Sequence, residues 1–266
     1  MSFAFLKGHG TRNDFIVLPD FDGSVHGELS PSVVVALCDR RAGLGADGVL
    51  RVLASTGSAP WFMDYRNADG SLSEMCGNGV RVFARYLEAS GLVDRSEPLR
   101  VDTRGGVKQV TFCDDGEISV EMGTPMALHE TFVSSAGVEY PARAVDVSNP
   151  HAVVRVASLE DLAGLSEPPL YSTEHFPHGV NVEFVEVRGD DRLAMRVYER
   201  GVGETASCGT GAVAAAVAVR TQLGYRGAAS YAVDVRGGRL TVTIDGEGCA
   251  HLKGPAVLVA DGTWTG

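Results

Sequence analysis

The chain has 266 residues, 44% of them hydrophobic and 21% charged, with 33 glycines and 11 prolines. This is a globular composition with enough apolar residues for a sizeable core, and it excludes disorder, a collagen-like repeat and a fibrous coil. Lysine and arginine number 23 against 34 aspartates and glutamates, a net charge of −11. No Lys/Arg run offers a phosphate-neutralising face, which argues against nucleic acid as a partner.

The opening residues, MSFAFLKGHGTRNDF, lack the apolar core of a secretory signal. The longest purely apolar helical run, Ala212–Val219, falls far short of the ~20 residues that span a bilayer. A soluble, cytoplasmic protein with no membrane partner is expected. Lysine occurs only as Lys7, Lys108 and Lys253, which leaves few anchors for a Schiff-base cofactor. Five cysteines (Cys38, Cys76, Cys113, Cys208, Cys249) are too sparse for a disulfide scaffold, and without a CxxC or HxxxH spacing no zinc site is expected.

Short apolar or alternating segments punctuated by Gly, Pro, Asn and Asp read as strands. In the first half they are Phe3–Leu6, Phe15–Leu18, Val49–Leu53, Trp61–Tyr65, Val107–Phe112 and Ile118–Met122. In the second they are Ala152–Val156, Val180–Val187, Ala194–Tyr198, Tyr231–Val235, Leu240–Ile244 and Ala256–Val259. Ser30-Pro31 opens a helix predicted over Pro31–Arg41; Val80–Ser90 stops at Gly91, and alanine-rich Gly211–Leu223 stops at Gly224. Ser158 with Asp161 marks the start of a fourth, shorter helix.

The two long helices begin alike, with Cys76-Gly-Asn-Gly79 and Cys208-Gly-Thr-Gly211. Nine residues before each cysteine stands a polar residue, Asn67 or Glu199, and further upstream come Asn13 and Asn149. This is a degenerate duplication, and it predicts an α/β fold of two pseudo-symmetric halves, 1–125 and 126–266, with the last strands crossing back to the first.

A helix N-terminus exposes unpaired N–H groups and about half a positive charge, which favours a thiolate and binds anions. Glycine neighbours let a ligand approach the backbone. Two such motifs predict one carboxylate held by both helix starts, with a thiol on either side of the carbon that carries it. One thiolate would remove an α-proton while the other thiol delivers one to the opposite face, with no cofactor. Cys38, Cys113 and Cys249 read as packing residues. Gly43-Leu-Gly-Ala-Asp-Gly48 spells GxGxxG but follows a helix and precedes a strand, the reverse of a dinucleotide site, so it reads as a turn.

Asp64-Tyr-Arg-Asn-Ala-Asp-Gly70, Met75-Cys-Gly-Asn-Gly-Val-Arg81, Asn149-Pro-His151, Gly179-Val-Asn181, Glu199-Arg-Gly-Val-Gly-Glu-Thr205 and Ser207-Cys-Gly-Thr-Gly211 together resemble the diaminopimelate epimerase family, from Asn13 nearly to the C-terminus. The resemblance implies two domains, each a curled, mostly antiparallel sheet around a central helix. It also implies interconversion of LL- and meso-2,6-diaminopimelate without pyridoxal phosphate or metal, in lysine and peptidoglycan precursor synthesis, by a homodimer. Carried onto this chain, Cys76 and Cys208 are the acid–base pair. The backbone of Gly77, Asn78, Gly209 and Thr210 holds the reacting carboxylate. Asn13, Asn67, Asn149, Asn181, Glu199 and Arg200 bind substrate, and His151 and Glu199 tune the thiols. The distal carboxylate of such a substrate suits Arg200, and its ammonium suits Glu199, Asn67 and Asn181.

Two positions depart from the family pattern: Gly48 stands where many members have glutamine, and Ala260 where some have a tyrosine at a dimer contact. A proline or hydroxyproline racemase would also use two cysteines but has no distal zwitterion to hold, and a thiol redox or binding protein would use them as a disulfide.

Overall fold

The computed structural model describes residues 2–162 and 165–266. They form two compact units, one running to Val120 and taking in Gly254–Gly266, the other Glu121–Lys253. Among the described residues no helix is long and apolar enough to cross a membrane.

The first unit begins with a hairpin of β1 (Phe3–Gly10) and β2 (Asn13–Pro19). Helix α1 (Pro31–Cys38) follows, then β3 (Gly48–Ala54), β4 (Trp61–Asn67), α2 (Gly77–Ala89), β5 (Leu99–Thr103), β6 (Gly106–Phe112) and β7 (Ile118–Gly123). β2 pairs parallel with β3, β3 antiparallel with β4, β4 parallel with β5, and β5 and β6 antiparallel with the strand after each. Phe15 to Leu18 are all fully buried. Ile16 and Leu18 pack with Val34 and Leu37 of α1, while the Phe15 ring lies beneath the start of α2. A strand covered on both faces explains why this stretch is continuously apolar rather than alternating.

The second unit repeats the plan. Its elements are β8 (Met126–Ser135), β9 (Val138–Asp146), β10 (Pro150–Val156), the short β11 (Leu170–Tyr171), β12 (Asn181–Val187), β13 (Arg192–Glu199), β14 (Gly203–Thr205), α3 (Gly209–Gln222), β15 (Ala229–Val235), β16 (Gly238–Ile244) and β17 (Ala250–Gly254). β9–β10 is antiparallel, β10–β12 parallel, β12–β13 antiparallel, β13–β15 parallel, and β15–β16–β17 antiparallel. Strand for strand this is the order and sense of β1 to β7. In the second unit β8 flanks β9; in the first, the strand flanking β1 is β18 (Val257–Trp264), supplied by the C-terminus. Helix α3 is buried from Gly209 to Val219, and its alanines at 212, 214, 215, 216 and 218 let the surrounding strands approach from every side.

Three details differ from the sequence reading. Helix α1 stops at Cys38 rather than Arg41, because the Asp39 carboxylate accepts the amides of Arg41 and Ala42 and the chain turns back, with Leu44 N donating to Leu37 O. Residues 158–162 form no helix; the rest of that expected helix includes residues 163 and 164, which lie outside the described set. Strands β5, β8, β9, β11, β14 and β17 are not among those expected from the sequence. Ala260 is exposed in β18, opposite Lys7.

Candidate active site

Both long helices start on a cysteine. Cys76 is the N-cap of α2 in extended conformation, and its Sγ accepts from Gly79 N at 3.4 Å. Cys208 is the N-cap of α3, and its Sγ accepts from Gly211 N at 3.4 Å. A sulfur thus stands where Ser or Asp caps an ordinary helix, at the positive end of the peptide dipoles. Two asparagines are set with the same repetition. Asn13 follows Arg12, held at φ +64°, in the β1–β2 turn; Asn149 follows Ser148, also at φ +64°, in the β9–β10 turn. Left-handed backbone is uncommon for residues other than glycine, and its recurrence marks the two turns as constrained.

In the first unit the half-buried Cys76 Sγ lies 3.6 Å from Asn13 Oδ1, to which it donates when it carries its proton. Asn78 Nδ2 donates to the same oxygen at 3.2 Å, and Asn13 Nδ2 donates to Asp47 Oδ2 at 2.8 Å. Asn78 is oriented from below by Arg81, whose Nη2 donates to Asn78 Oδ1 at 2.8 Å and whose Nη1 reaches Gly77 O at 3.3 Å. Arg81 is fully buried. Burial pushes its guanidinium down to about 10, against the opposing attraction of Cys76 and Glu117. Gly10 leaves room for it, since a Cβ there would lie 3.0 Å from Arg81 Nη2. The Asp47 carboxylate is shared with Arg40, which also clamps Asp14 together with Lys7. Burial works to raise Asp14, but the Arg40 and Lys7 bonds and charges prevail and bring it to about 2.

Asn67 stands apart from this network. Its Nδ2 donates to Ser71 Oγ at 3.0 Å inside the NADGS turn, and it lies opposite Gly48 in the β3–β4 register. No side chain fits at Gly48: a Cβ would stand 2.6 Å from Arg66 O and 2.8 Å from the Tyr65 ring. In the same motif Asp64 is buried and structural, accepting from Arg104 Nη2 at 2.6 Å and Arg66 Nε at 3.3 Å.

In the second unit a chain of contacts leads from the core to the thiol. His151 Nδ1 is 2.7 Å from Glu183 Oε1, and its Nε2 is 2.9 Å from Asn149 Oδ1. Asn149 Nδ2 donates to Thr210 Oγ1 at 3.3 Å, and Thr210 Oγ1 is 3.5 Å from Cys208 Sγ. Cys208 is buried, and burial pushes its thiol well above the ordinary range; the Glu199 and Glu183 carboxylates push the same way. Glu199 accepts from Thr205 Oγ1, which fixes the end of β13 over β14. Arg200 N donates to Asn181 Oδ1 at 2.9 Å, and Arg200 Nη1 donates to His178 O at 2.9 Å, leaving the rest of the exposed guanidinium toward solvent. Gly179 makes this possible: at φ +86° its Cβ would sit 2.6 Å from Arg200 Cδ.

The structure thus links Asn13, Cys76 and Asn78 in one unit, and Asn149, His151, Thr210 and Cys208 in the other, with Asn181 tied to Arg200. Sequence reading gives no role to Asp47, Arg81, Glu183 and Thr205, because each acts through another side chain; Arg81 and Thr205 stand inside the quoted motifs, but nothing in the motifs says what they hold. Of the other cysteines, Cys38 is buried and raised to about 11 by burial, while Cys113 and Cys249 are half-buried in hairpins. Among the described residues one group, Asp245, Cys249 and His251, brings metal-type donors within 4.8 Å of one another. It closes the β16–β17 turn, where Asp245 Oδ1 already accepts the amides of Glu247 and Cys249.

A family model described as diaminopimelate epimerase matches residues 5–128 and 143–259. The chain is 50% identical to the diaminopimelate epimerase of Streptomyces coelicolor, covering 97% of this chain and 94% of that protein. It is 45% identical to that of Corynebacterium glutamicum, covering 98% of each. Among solved structures, a PhzF-family phenazine biosynthesis protein of Bacillus anthracis matches with TM-score 0.75 at 18% identity, covering 100% of this chain and 99% of that one. A hydroxyproline epimerase of Agrobacterium vitis matches with TM-score 0.72 at 14% identity, covering 98% and 92%; at such identities the likeness is one of fold. The chain belongs to the diaminopimelate epimerase family: it is an isomerase acting on diaminopimelate, a step of lysine biosynthesis.

Proposed function

We propose that this chain interconverts LL- and meso-2,6-diaminopimelate by a two-base exchange in which Cys76 and Cys208 are the acid–base pair. The supporting observation is the repeated setting of the two sulfurs, each an N-cap bonded to the third amide of its helix, with Cys76 bonded to Asn13 directly and Cys208 linked to Asn149 through Thr210, each asparagine following a left-handed turn residue. First-turn amides at Gly77, Asn78, Gly209 and Thr210 suit the reacting carboxylate, where negative charge grows as the α-proton leaves. Asn13, Asn67, Asn149 and Asn181 offer amide contacts. Arg200 offers the distal carboxylate a fork, and Glu199 offers the distal ammonium a charge.

The unlike surroundings of the thiols give the resting state a direction. Cys208, raised by burial and two carboxylates, rests as the thiol. Cys76 as thiolate takes the α-proton, the electron pair stays on the α-carbon beside the carboxylate, and Cys208 gives its proton to the opposite face and becomes the thiolate. The sulfurs then hold the complementary state, which serves the reverse direction. His151 and Glu199 tune this exchange at Cys208. Neither a metal nor pyridoxal phosphate enters the scheme. The protein would act in the cytoplasm as a homodimer and would supply peptidoglycan as well as lysine.

Incubation with LL-diaminopimelate in D₂O tests the reading. Deuterium is expected at one α-carbon of the meso product, with loss of turnover in both Cys76→Ser and Cys208→Ser. Label entering L-proline instead, or full turnover in either variant, would overturn it.

A further inference from the structure

We propose that Glu183 is a positioning residue for Cys208, holding the His151 ring and, through it, the Asn149 and Thr210 side chains that reach the thiol. This rests on the two-base reading and adds a residue that no motif marks. Glu183 is fully buried on β12, and only Oε1 has a hydrogen-bond partner, His151 Nδ1 at 2.7 Å. A Cβ at Gly211 would stand 2.7 Å from that oxygen, so the carboxylate lies directly against the first turn of α3.

The internal duplication supplies the control. Under the first turn of α2, a Cβ at Gly79 would meet Leu50 Cδ2 at 3.3 Å and Phe15 Cζ at 3.6 Å. Phe15 and Gly48 are register partners in one sheet, as His151 and Asn181 are in the other, so Leu50 occupies the place of Glu183 and Phe15 that of His151. An apolar pair therefore fills this place without difficulty. Burying a carboxylate and an imidazole there instead costs desolvation that packing does not require.

The donor arithmetic shows what the polar pair does. His151 has an oxygen acceptor at each ring nitrogen, Glu183 Oε1 and Asn149 Oδ1, so the ring is fixed at both ends and its Nε2–H is aimed at Asn149. That bond turns the Asn149 amide so that Nδ2 donates to Thr210 Oγ1. Having accepted there, the Thr210 hydroxyl keeps its own hydrogen for Cys208 Sγ, 3.5 Å away, and meets the sulfur's charge once the thiol has given up its proton. The charged groups acting on Cys208 are Glu199 from β13 and Glu183 from β12, with the titratable His151 ring of β10 held against Glu183. Burial and the two carboxylates favour the thiol at rest.

Peptide-resolved iodoacetamide labelling of Cys208 across pH tests this in the full chain, for the wild type, Glu183→Gln and the double variant His151→Phe/Glu183→Leu, which copies the first unit's pair. Removing the charge is expected to lower the labelling midpoint by about one unit, so that Cys208 labels about tenfold faster at pH 7. The double variant is expected to melt no lower than the wild type, but it also loses the hold on Thr210, so its midpoint is expected above that of Glu183→Gln. Two variant curves that superimpose on each other would overturn the proposal. Should Glu183→Gln fail to fold, the double variant is compared with itself carrying Thr210→Val: equal curves are expected because the hold is already lost, and a further rise would overturn the proposal. No α-deuterium from diaminopimelate in the wild type would overturn the two-base reading instead, and would leave the labelling result standing by itself.

Discussion

Gly179→Ala separates a substrate-binding role for Arg200 from a merely structural one. The added methyl would sit 2.6 Å from Arg200 Cδ and 3.0 Å from Cγ. Carbon–carbon contact needs roughly 3.5–4.0 Å, so the arginine stem must retreat by about 1 Å. The stem is tied at both ends, by Arg200 N to Asn181 Oδ1 and by Nη1 to His178 O, so the displacement falls on the guanidinium. A left-handed alanine at φ +86° adds strain of about 1–2 kcal/mol, which a urea midpoint reads directly. One lost charge-assisted bond to the distal carboxylate is worth about 1.5–3 kcal/mol, a rise in KM of about 10–100-fold. Steady-state epimerisation should show that rise with a smaller change in kcat. Arg200→Ala should raise KM at least as far, and Gly179→Ala added to it should raise KM no further. An unchanged KM in Gly179→Ala, or additive effects in the double variant, would show that Arg200 does not hold the substrate.

Two further outcomes follow from the same geometry. Asp14 ionises near 2 in the fold against 3.8 unfolded, so its contribution of about 2 kcal/mol is complete above pH 4 and disappears as pH falls toward 2; acid unfolding of Asp14→Asn should lack that part of the slope seen in the wild type. Gly211→Ala would press on the fully buried Glu183, whereas Gly79→Ala would press on Leu50 with 0.6 Å more room, 3.3 against 2.7 Å. Calorimetry should show Gly211→Ala destabilised by about 1–3 kcal/mol and Gly79→Ala close to neutral, helix propensity favouring alanine in both.

The frame was legible where periodicity and punctuation agreed. Both CGxG helix starts and the continuous apolar strand at Phe15–Leu18 leave marks in the sequence. Strands β8 and β9 were not legible, because MALHETFVSS and VEYPARAVD carry charges and a proline on a partly exposed hairpin and so alternate poorly. In the candidate site the motif residues can be named from the sequence, and the residues that hold them cannot. Asn13 and Asn149 can be read as paired by spacing, but the left-handed residues before them, Arg12 and Ser148, are not glycines, and nothing local announces the turn. Glu183 looks like an ordinary charged residue in a strand, and Arg81, though it ends the CGNGVR motif, shows no local sign of what it holds. Only their complete burial, a tertiary fact, gives them work to do.

The duplication also sets a problem that its symmetry cannot solve. A two-base exchange needs one sulfur charged and the other protonated, yet both cysteines have the same N-cap bond, at 3.4 Å in each unit, on helices of 13 and 14 residues. The dipole contribution at a helix start is a matter of about 0.3–1 kcal/mol, and being alike at both ends it cancels from the difference between them. Whatever distinguishes the thiols must come from residues that break the repeat. Five residues after each cysteine stands Arg81 in one helix and Val213 in the other, and under the first turn stand Phe15 with Leu50 in one unit and His151 with Glu183 in the other. One helix start therefore lies over a buried cation, and the other over a buried carboxylate with Glu199 acting beside it. Both substitutions push in the same direction, toward charge on Cys76 and a proton on Cys208. The chain has kept the duplicated backbone, which places two sulfurs alike, and varied the buried side chains, which make them unlike.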